Sequence, residues 1–245
     1  MSHRFFVDEE VADDAVLRGD QAHQIANVLR LRAGELIVLV RGGVEATVEL
    51  RHVSGAEVQG RVIERSVSGT EPRQRITLAL PLLKSDHDEQ VVEAVTQLGV
   101  QRIVPFISAR SVVRSLSAAK RERWQRIARE AAETARRGRI PMIEEPRGWD
   151  TLFDLLDPGA LVAWEAEPLV LLRDALRRAD TSIVIGPEGG LGPEEIALAR
   201  AKGAVTVSLG PRNLRSETAA IAAVAEITAS LAATDEAKSH LRERS

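Results

Sequence analysis

The stretch Ile185-Gly-Pro-Glu-Gly-Gly-Leu-Gly-Pro-Glu-Glu195 decides the fold prediction for this chain of 245 residues. It follows a short apolar run, Ser182-Ile-Val-Ile185, and leads into a helix predicted to open at Pro193. Gly189 and Gly190 allow another group to approach the backbone closely, and the two prolines stiffen the loop. Such a loop presents main-chain N–H and C=O groups, as a small-ligand site requires.

A second strand–loop–helix pattern follows. Residues 205–209 are predicted to form a strand, 210–215 a loop, and 217–233 a helix with Ser216 as its N-cap. Open α/β sheets bind ligands beyond the carboxyl ends of their strands. The two loops, on strands predicted to be neighbours, are therefore expected to share one pocket. Neither contains Gly-Lys-Ser/Thr or Gly-x-Gly-x-x-Gly, which argues against a nucleotide-hydrolysing or dinucleotide-binding protein.

The composition excludes several classes of protein. There is no Cys, and the five His show no metal-ligand spacing, so neither a disulfide framework nor a metal site is expected. No apolar run is long enough to span a bilayer, and the start of the chain lacks a secretory pattern. A cytoplasmic protein without a membrane partner is the resulting expectation.

The charge is unevenly distributed although the net charge is only −3. Residues 102–147 contain 12 Lys and Arg against 5 Asp and Glu. This excess fits a nucleic-acid footprint and equally fits a solvated basic helix. Arg136, Arg137 and Arg139 crowd around one glycine, which solubility alone does not explain. In the N-terminal region, His23 and Arg30 are further candidates for RNA contact.

The chain is predicted to divide into two domains. Residues 1–70 have the β-rich pattern of a small barrel, with strands at 4–7, 35–40, 44–50 and 56–64 and a helix at 21–29. Residues 66–73 are linker-like. Residues 73–245 alternate strands with helices, which predicts an α/β domain with a mostly parallel sheet. Its further strands are predicted at 75–80, 102–104 (ended by Pro105) and 161–164, and its further helices at 86–98, 117–138 and 169–179.

Charged residues at the start of the last helix are the catalytic candidates. Arg215 could grip a carboxylate or phosphate in bidentate fashion. Glu217 could act as a proton acceptor, although an acidic residue at a helix N-terminus also simply complements the helix dipole. Arg212 lies just upstream of both.

These motifs, in this order, make the chain resemble the ribosomal RNA small subunit methyltransferase E family of the knotted SPOUT superfamily. The carrying stretches are Arg4-Phe-Phe-Val7, Val28-Leu-Arg30, Gln97-Leu-Gly-Val100, Arg110-Ser-Val-Val113, Trp124-Gln-Arg-Ile-Ala128, Arg139-Ile-Pro141, Ile185-Gly-Pro-Glu-Gly-Gly190 and Leu214-Arg-Ser-Glu-Thr-Ala219. The last two together are the most specific. Gln97, Thr134 and the stretch Lys84-Ser-Asp-His-Asp88 depart from the usual family pattern.

The resemblance implies a PUA-like RNA-binding barrel followed by a SPOUT domain with a trefoil knot, in a homodimer. It implies S-adenosylmethionine as the cofactor and the 16S rRNA of the 30S subunit as the partner, methylated at N3 of one uridine, uridine 1498. The implied cofactor-binding residues are Gly186, Pro187, Glu188, Gly189, Gly190, Leu209, Gly210, Arg212, Leu214, Thr218 and Ala219. The implied RNA-binding residues are Arg4, His23, Arg30, Arg110, Arg136 and Arg139.

Within this interpretation, Arg215 faces the uracil oxygens or the cofactor carboxylate, and Glu217 accepts the N3 proton. Two alternatives stay open at this point. One is a knotted methyltransferase acting on tRNA, and the other is a non-catalytic RNA-binding or ribosome-assembly factor.

Overall fold

The computed structural model describes residues 3–177 and 180–242, which form two compact units. The first unit comprises Met1–Glu71 together with Ala132–Arg139, and the second comprises Pro72–Ala131 and Ile140–Ser245. Residues 132–139 lie inside the range predicted for the C-terminal domain, yet they pack with the first unit. No described helix is long and apolar enough to cross a membrane.

The first unit is built on a curled five-stranded sheet in the order β1-β3-β4-β5-β2. The strands are β1 (His3–Phe6), β2 (Asp14–Arg18), β3 (Leu36–Arg41), β4 (Val44–Val53) and β5 (Glu57–Val67). Only β1 and β3 run parallel among these pairings. Alternate residues face inward, so that Phe5, Leu17, Ile37, Leu39 and Leu50 form a core.

Two features of the first unit differ from the sequence prediction. The strand β2 was not predicted, because its five residues carry only two buried apolar side chains, Ala15 and Leu17. The predicted helix at 21–29 is a short α1 (Asp20–His23) that continues as a π-helical turn, Gln24–Val28.

The second unit contains a seven-stranded sheet in which every described pairing is parallel. The order is β12-β10-β11-β6-β7-β8, with β9 also paired to β7. Its strands are β6 (Ile76–Pro81), β7 (Arg102–Ile107), β8 (Met142–Ile143), β9 (Arg147–Gly148), β10 (Leu161–Ala163), β11 (Thr181–Ile185) and β12 (Val205–Val207). Its helices are α2 (His87–Gln97), α3 (Ala118–Thr134, whose last residues belong to the first unit), α4 (Trp149–Leu152), α5 (Leu172–Ala175), α6 (Pro193–Ala201) and α7 (Ser216–Arg242), with a 3-10 turn at Phe153–Leu155.

Apolar side chains cover this sheet on both faces. One cluster joins the sheet to α2, α3 and α7 through residues such as Val91, Trp124 and Val224. The other joins it to α4 and α6 through Trp149 and Ile196. Because both faces of the sheet are covered, every residue of β6 and β11 is buried, whereas a strand covered on one face buries every second residue.

Several predicted boundaries are corrected by the structure. The strand β7 does not stop at Pro105 but continues to Ile107, because Pro105 pairs with Leu80 on one side and falls between the short β8 and β9 on the other. A proline is tolerated where no ladder hydrogen bond is required of it. The helix predicted at 169–179 is reduced to α5, and residues 178–179 of that prediction lie outside the described residues. The last helix extends to Arg242.

Candidate functional site

A large pocket lies in the second unit at the carboxyl ends of four adjacent strands, β12, β10, β11 and β6. Its volume is about 1210 Å³, enough for a ligand of nucleoside size. The two sequence-predicted loops do share this pocket. They do not, however, follow neighbouring strands, because β10 lies between β11 and β12.

The loop after β11 supplies five of the cofactor-binding candidates: Gly186, Pro187, Glu188, Gly189 and Gly190 all line the pocket. Gly190 has a φ of 71°, and its N–H donates to the carbonyl of Pro187 at 2.8 Å, closing a tight turn. A Cβ at Gly190 would lie 2.7 Å from Oε1 of Glu165. The exposed Glu165 carboxylate can move aside, so the requirement for glycine comes from the positive φ of the backbone.

Gly189 has a different constraint. A Cβ there would lie 2.9 Å from the carbonyl oxygen of Arg110, whose guanidinium donates to the Gly189 carbonyl at 3.3 Å. A larger residue at 189 would displace backbone. A substitution at Gly189 is therefore expected to perturb the loop itself and not only a ligand bound to it.

The loop after β12 lines the opposite side. Leu209, Gly210, Arg212 and Leu214 are at the pocket, as is Ala219 on α7, whereas Thr218 is exposed and does not line it. Gly210 has a φ of 101°, and no atom lies within 4 Å of the position where its Cβ would be. This open space lets a ligand approach the main chain.

Ser216 does not cap α7 as predicted. It is the first residue of that helix, it is buried, and its hydroxyl donates to the carbonyl of Gly186 at 2.8 Å. The bond ties the start of α7 to the loop after β11. It therefore fixes the two predicted loops relative to each other.

The loop after β10 was missed from the sequence and supplies Trp164, Glu165 and Glu167 to the pocket. The carboxylate of Glu167 is only 9% exposed and accepts from Thr206 Oγ1 at 2.5 Å and from the N–H of Leu169 at 3.2 Å. The hydrogen bond from Thr206 holds the pKa of Glu167 below its ordinary value, outweighing burial. The available signal was a pair of acidic residues two and four positions beyond a short apolar strand.

Arg200 contacts two of the residues that the loop after β10 supplies to the pocket. Its guanidinium lies 3.4 Å from Oε2 of Glu167 and 5.6 Å from the ring centroid of Trp164. The cation–π contact and the ion pair together restrain the indole that lines the pocket.

The loop between β6 and α2 forms the fourth wall through Lys84, Ser85 and His87. The N–H of Lys84 donates to Oε1 of Glu188 at 3.0 Å, and Lys120 donates to the carbonyl of Ser85 at 3.1 Å. Lys120 also pairs with the buried Asp88 at 2.8 Å, and burial raises the pKa of that carboxyl. Ser85 has a φ of 56°, a conformation that a non-glycine residue adopts only when its surroundings enforce it.

The catalytic candidates Arg215 and Glu217 both line the pocket. Glu217 Oε1 lies 3.5 Å from Nδ1 of His87, a residue that the sequence analysis did not nominate. Their roles stay predictions, but a cation, a carboxylate and an imidazole do face the same cavity.

The RNA-binding candidates fall into different environments. Arg4 is mostly buried and pairs with Glu45 at 2.7 Å, whereas His23, Arg30, Arg110, Arg136 and Arg139 are exposed. Arg30 and Arg136 have positive φ values of 56° and 55°. Their contact with RNA stays a prediction.

Arg137 explains part of the crowding of arginines around Gly138. Only 2% exposed, it makes a bidentate ion pair with Glu71, Nε to Oε1 at 3.1 Å and one terminal nitrogen to Oε2 at 2.7 Å. The N–H groups of Gly138 and Arg139 donate to the same carboxylate at 3.0 and 3.2 Å. One of the three arginines is therefore structural.

Part of the basic excess at 102–147 is likewise neutralised in space. Three acidic residues from outside this stretch pair with its cations, in Lys120–Asp88, Arg123–Glu89 and Arg137–Glu71. Two acidic residues within it form the pairs Arg102–Glu144 and Arg121–Glu145. Neither interpretation of this stretch, as a nucleic-acid footprint or as a solvated basic helix, anticipated these pairs.

Among the described residues no cluster of His, Asp and Glu suits a metal ion.

Comparison with known proteins places this architecture. The family model for an RNA methyltransferase domain matches residues 70–228. The chain is 33% identical to the ribosomal RNA small subunit methyltransferase E of Bacillus subtilis over 233 residues, covering 89% of this chain and 91% of the relative. The corresponding protein of Mycobacterium bovis is also 33% identical, with 91% and 90% covered.

Two solved structures share the fold. The ribosomal RNA small subunit methyltransferase E of Neisseria gonorrhoeae, bound to S-adenosyl methionine, is 29% identical with a TM-score of 0.84, covering 94% of this chain and 98% of that one. A methyltransferase of Legionella pneumophila, in complex with the cofactor SAM, is 28% identical with a TM-score of 0.78 at 94% and 98% coverage. This chain belongs to the ribosomal RNA small subunit methyltransferase E family.

Proposed function

We propose that this enzyme transfers a methyl group from S-adenosylmethionine to N3 of one uridine in the 16S rRNA of the small ribosomal subunit. One observation carries the proposal: four loops converge on one pocket inside the region that matches the RNA methyltransferase domain. Action on the ribosome or its precursor assigns the enzyme to the cytoplasm.

The residues of the pocket fit the cofactor. Ile185, Leu209 and Leu214 would give apolar surface to the adenine ring, and Gly210 leaves room beside the main chain. Both signs of charge line the cavity, so that it could hold both the sulfonium and the carboxylate of the cofactor: the carboxylates are Glu165, Glu167, Glu188 and Glu217, and the cations are Lys84, Arg212 and Arg215. Gly186–Gly190 and Leu209–Leu214 would supply the main-chain contacts, with Arg212 and Ala219 at the edge of the second loop.

The cofactor supplies an electrophilic methyl group, and the protein must bring N3 in line with it and help N3 lose its proton. Deprotonation leaves negative charge on O2 and O4 of the uracil. Arg215 is our candidate for stabilising those oxygens or for holding the cofactor carboxylate. Glu217 is our candidate for helping N3 to lose that proton. The target base must be presented unpaired, because its N3 is hidden in paired RNA.

The finer architecture belongs to the same proposal. The first unit would be a PUA-like barrel that binds RNA through His23, Arg30, Arg136 and Arg139, with Arg4 supporting it from within. The second would carry a trefoil knot and would pair with a second copy in a homodimer. Arg110, whose guanidinium contacts the loop after β11, would place an RNA phosphate near the pocket.

The test is methyl transfer from labelled S-adenosylmethionine to 30S subunits that lack this modification, followed by nucleoside analysis. We expect 3-methyluridine at a single position. If the enzyme binds the cofactor and methylates tRNA but not 30S subunits, its substrate is tRNA and the proposed rRNA substrate is wrong. Failure to bind the cofactor in calorimetry would leave a non-catalytic RNA-binding factor.

A further inference from the structure

His87 lines the pocket but has no role in the reaction as described above. It is the first residue of α2 and lines the same cavity as Arg215 and Glu217. Its side chain is 39% exposed, so one edge of the ring is accessible, while Nδ1 faces Oε1 of Glu217 at 3.5 Å. Within residues 3–177 and 180–242, no group hydrogen-bonds to Nε2 of His87. An imidazole with one nitrogen beside a carboxylate and the other free is the arrangement of a general base.

The connection between β6 and α2, which leads directly to His87, is hydrogen-bonded to two neighbouring elements. It is tied to the loop after β11 by the N–H of Lys84 and to α3 by the bond from Lys120 to the Ser85 carbonyl. Ser85 keeps its strained φ between these two ties. Strain of this kind persists where the surroundings enforce it, and it clusters at functional sites. The loop thus delivers His87 to the pocket in a defined place.

We infer that His87 is the group that accepts the N3 proton of the target uridine, an inference that rests on the proposed function. Glu217 favours the tautomer with hydrogen on Nδ1, which leaves the lone pair of Nε2 free for the base. The N3–H bond breaks and its proton moves to Nε2. The nitrogen electron pair forms the new N–CH3 bond, and the pair of the breaking S–CH3 bond returns to sulfur.

This assignment makes Glu217 the positioning residue of His87, since its carboxylate orients the ring and stabilises the imidazolium. It also separates the charges of the reaction, with the proton on one side and the uracil oxygens facing Arg215. Asp86 and Asp88 flank His87 in the chain, and Lys120 on α3 pairs with Asp88. The other charged residues that line the same cavity near this wall are Lys84 before α2, Glu188 after β11 and Arg215 before α7.

The test compares His87→Gln with His52→Gln, a substitution of an exposed histidine on β4 in the other unit. Calorimetry with S-adenosylmethionine and single-turnover methylation of 30S subunits are measured for both variants from pH 6 to pH 10. For His87→Gln we expect a rate about 100-fold or more below wild type at neutral pH, as is typical for loss of a general base. Cofactor affinity should stay within twofold to threefold.

The pH dependence of the rate distinguishes a role of His87 as general base from a merely structural role. As the pH rises, N3 loses its proton to solvent without help, so the deficit of His87→Gln should shrink steadily. A merely structural role would leave a deficit of constant size, and this outcome would overturn the inference. Equal rates for His87→Gln and wild type would overturn it as well. His52→Gln should follow wild type throughout.

A second readout does not depend on turnover. Long-range 1H–15N spectra of the histidine rings report which nitrogen carries the proton. We expect the His87 ring to have its hydrogen on Nδ1, and Glu217→Gln to change that distribution. A ring protonated on Nε2 in the wild type contradicts the inference. If wild-type enzyme makes no 3-methyluridine, the proposed function itself fails; if it does and His87→Gln matches it, only this inference fails.

Discussion

The buried Glu71–Arg137 pair allows a prediction that separates structural from RNA-binding arginines. Arg137→Met keeps the unbranched apolar stem of the side chain but removes the guanidinium and with it both arms of the bidentate contact at 3.1 and 2.7 Å. Glu71 keeps the N–H groups of Gly138 and Arg139 as donors but loses its counter-charge. The first unit should become less stable as a result.

The magnitude follows from burial. Breaking a buried ion pair by removing one partner costs about 3–5 kcal/mol, because the remaining charge is left without compensation. Glu71 retains 15% exposure of its side chain and two backbone donors, so we expect the lower end, about 3 kcal/mol. That corresponds to a change of about 100-fold in the opening equilibrium.

The assay must report on the first unit. All three tryptophans, Trp124, Trp149 and Trp164, belong to the second unit, so tryptophan fluorescence does not serve. Native-state hydrogen exchange of peptides from β3 to β5 does. Exchange there should accelerate about 100-fold in Arg137→Met, whereas peptides from β6 and β11 should change little.

The matched control is Arg136→Met, one residue away but exposed. It should leave exchange within a factor of about two, since exposed substitutions usually change stability by less than about 0.5 kcal/mol. If Arg136 contacts an RNA phosphate as proposed, Arg136→Met should also reduce the slope of log affinity for RNA against log salt concentration by about one. Unchanged exchange in Arg137→Met would refute the argument that this pair stabilises the unit.

Three further predictions concern the pocket. Arg215→Ala should lower the methylation rate or the cofactor affinity by about 100-fold, and near-wild-type values of both would remove Arg215 from the mechanism. Gly210→Val and Gly203→Val both place a β-branched residue at positive φ in open space, so each should lose about 1–3 kcal/mol of stability. Only Gly210→Val should lose cofactor binding in calorimetry, because Gly203 does not line the pocket; equal binding by both would contradict the role of the open space at Gly210. Glu167→Gln should flatten the acid side of the stability profile, measured by urea unfolding with tryptophan fluorescence. The lowered pKa means that the contribution of Glu167 is present above its ordinary value of 4.5 and is lost as the pH falls through the lowered value, so an unchanged profile would show that Glu167 contributes nothing.

The sequence predicted those parts of the site whose signals are local. A strand, a Gly/Pro loop and a helix lie next to one another in the chain at 182–195 and again at 205–217, so both loops and their common pocket were recognisable. The insertion of β10 between β11 and β12 is a tertiary choice that no local pattern encodes. Trp164, Glu165 and Glu167 were missed for that reason.

The same limit applies to His87 and Arg137. His87 looked like an ordinary helix-start residue, and its partner Glu217 is distant in the chain. Arg137 looked like its exposed neighbours, and only packing against Glu71 distinguishes it. Charge counting along the chain could not foresee that acidic residues from elsewhere in the chain pair with three of the cations at 102–147. Family resemblance supplied the cofactor, which spacing alone left open.

The passage of residues 132–139 into the first unit has a consequence for how such proteins can be cut or recombined. A fragment ending at Glu71 would lack both Arg137 and the Glu133 carboxylate that accepts from the N–H of Phe6 at 3.2 Å. Residues 1–71 alone are thus not a transplantable module, and gene fusions that exchange only this segment would separate the five-stranded sheet from part of its own framework. Successful shuffling among relatives should move residues 1–71 and 132–139 together.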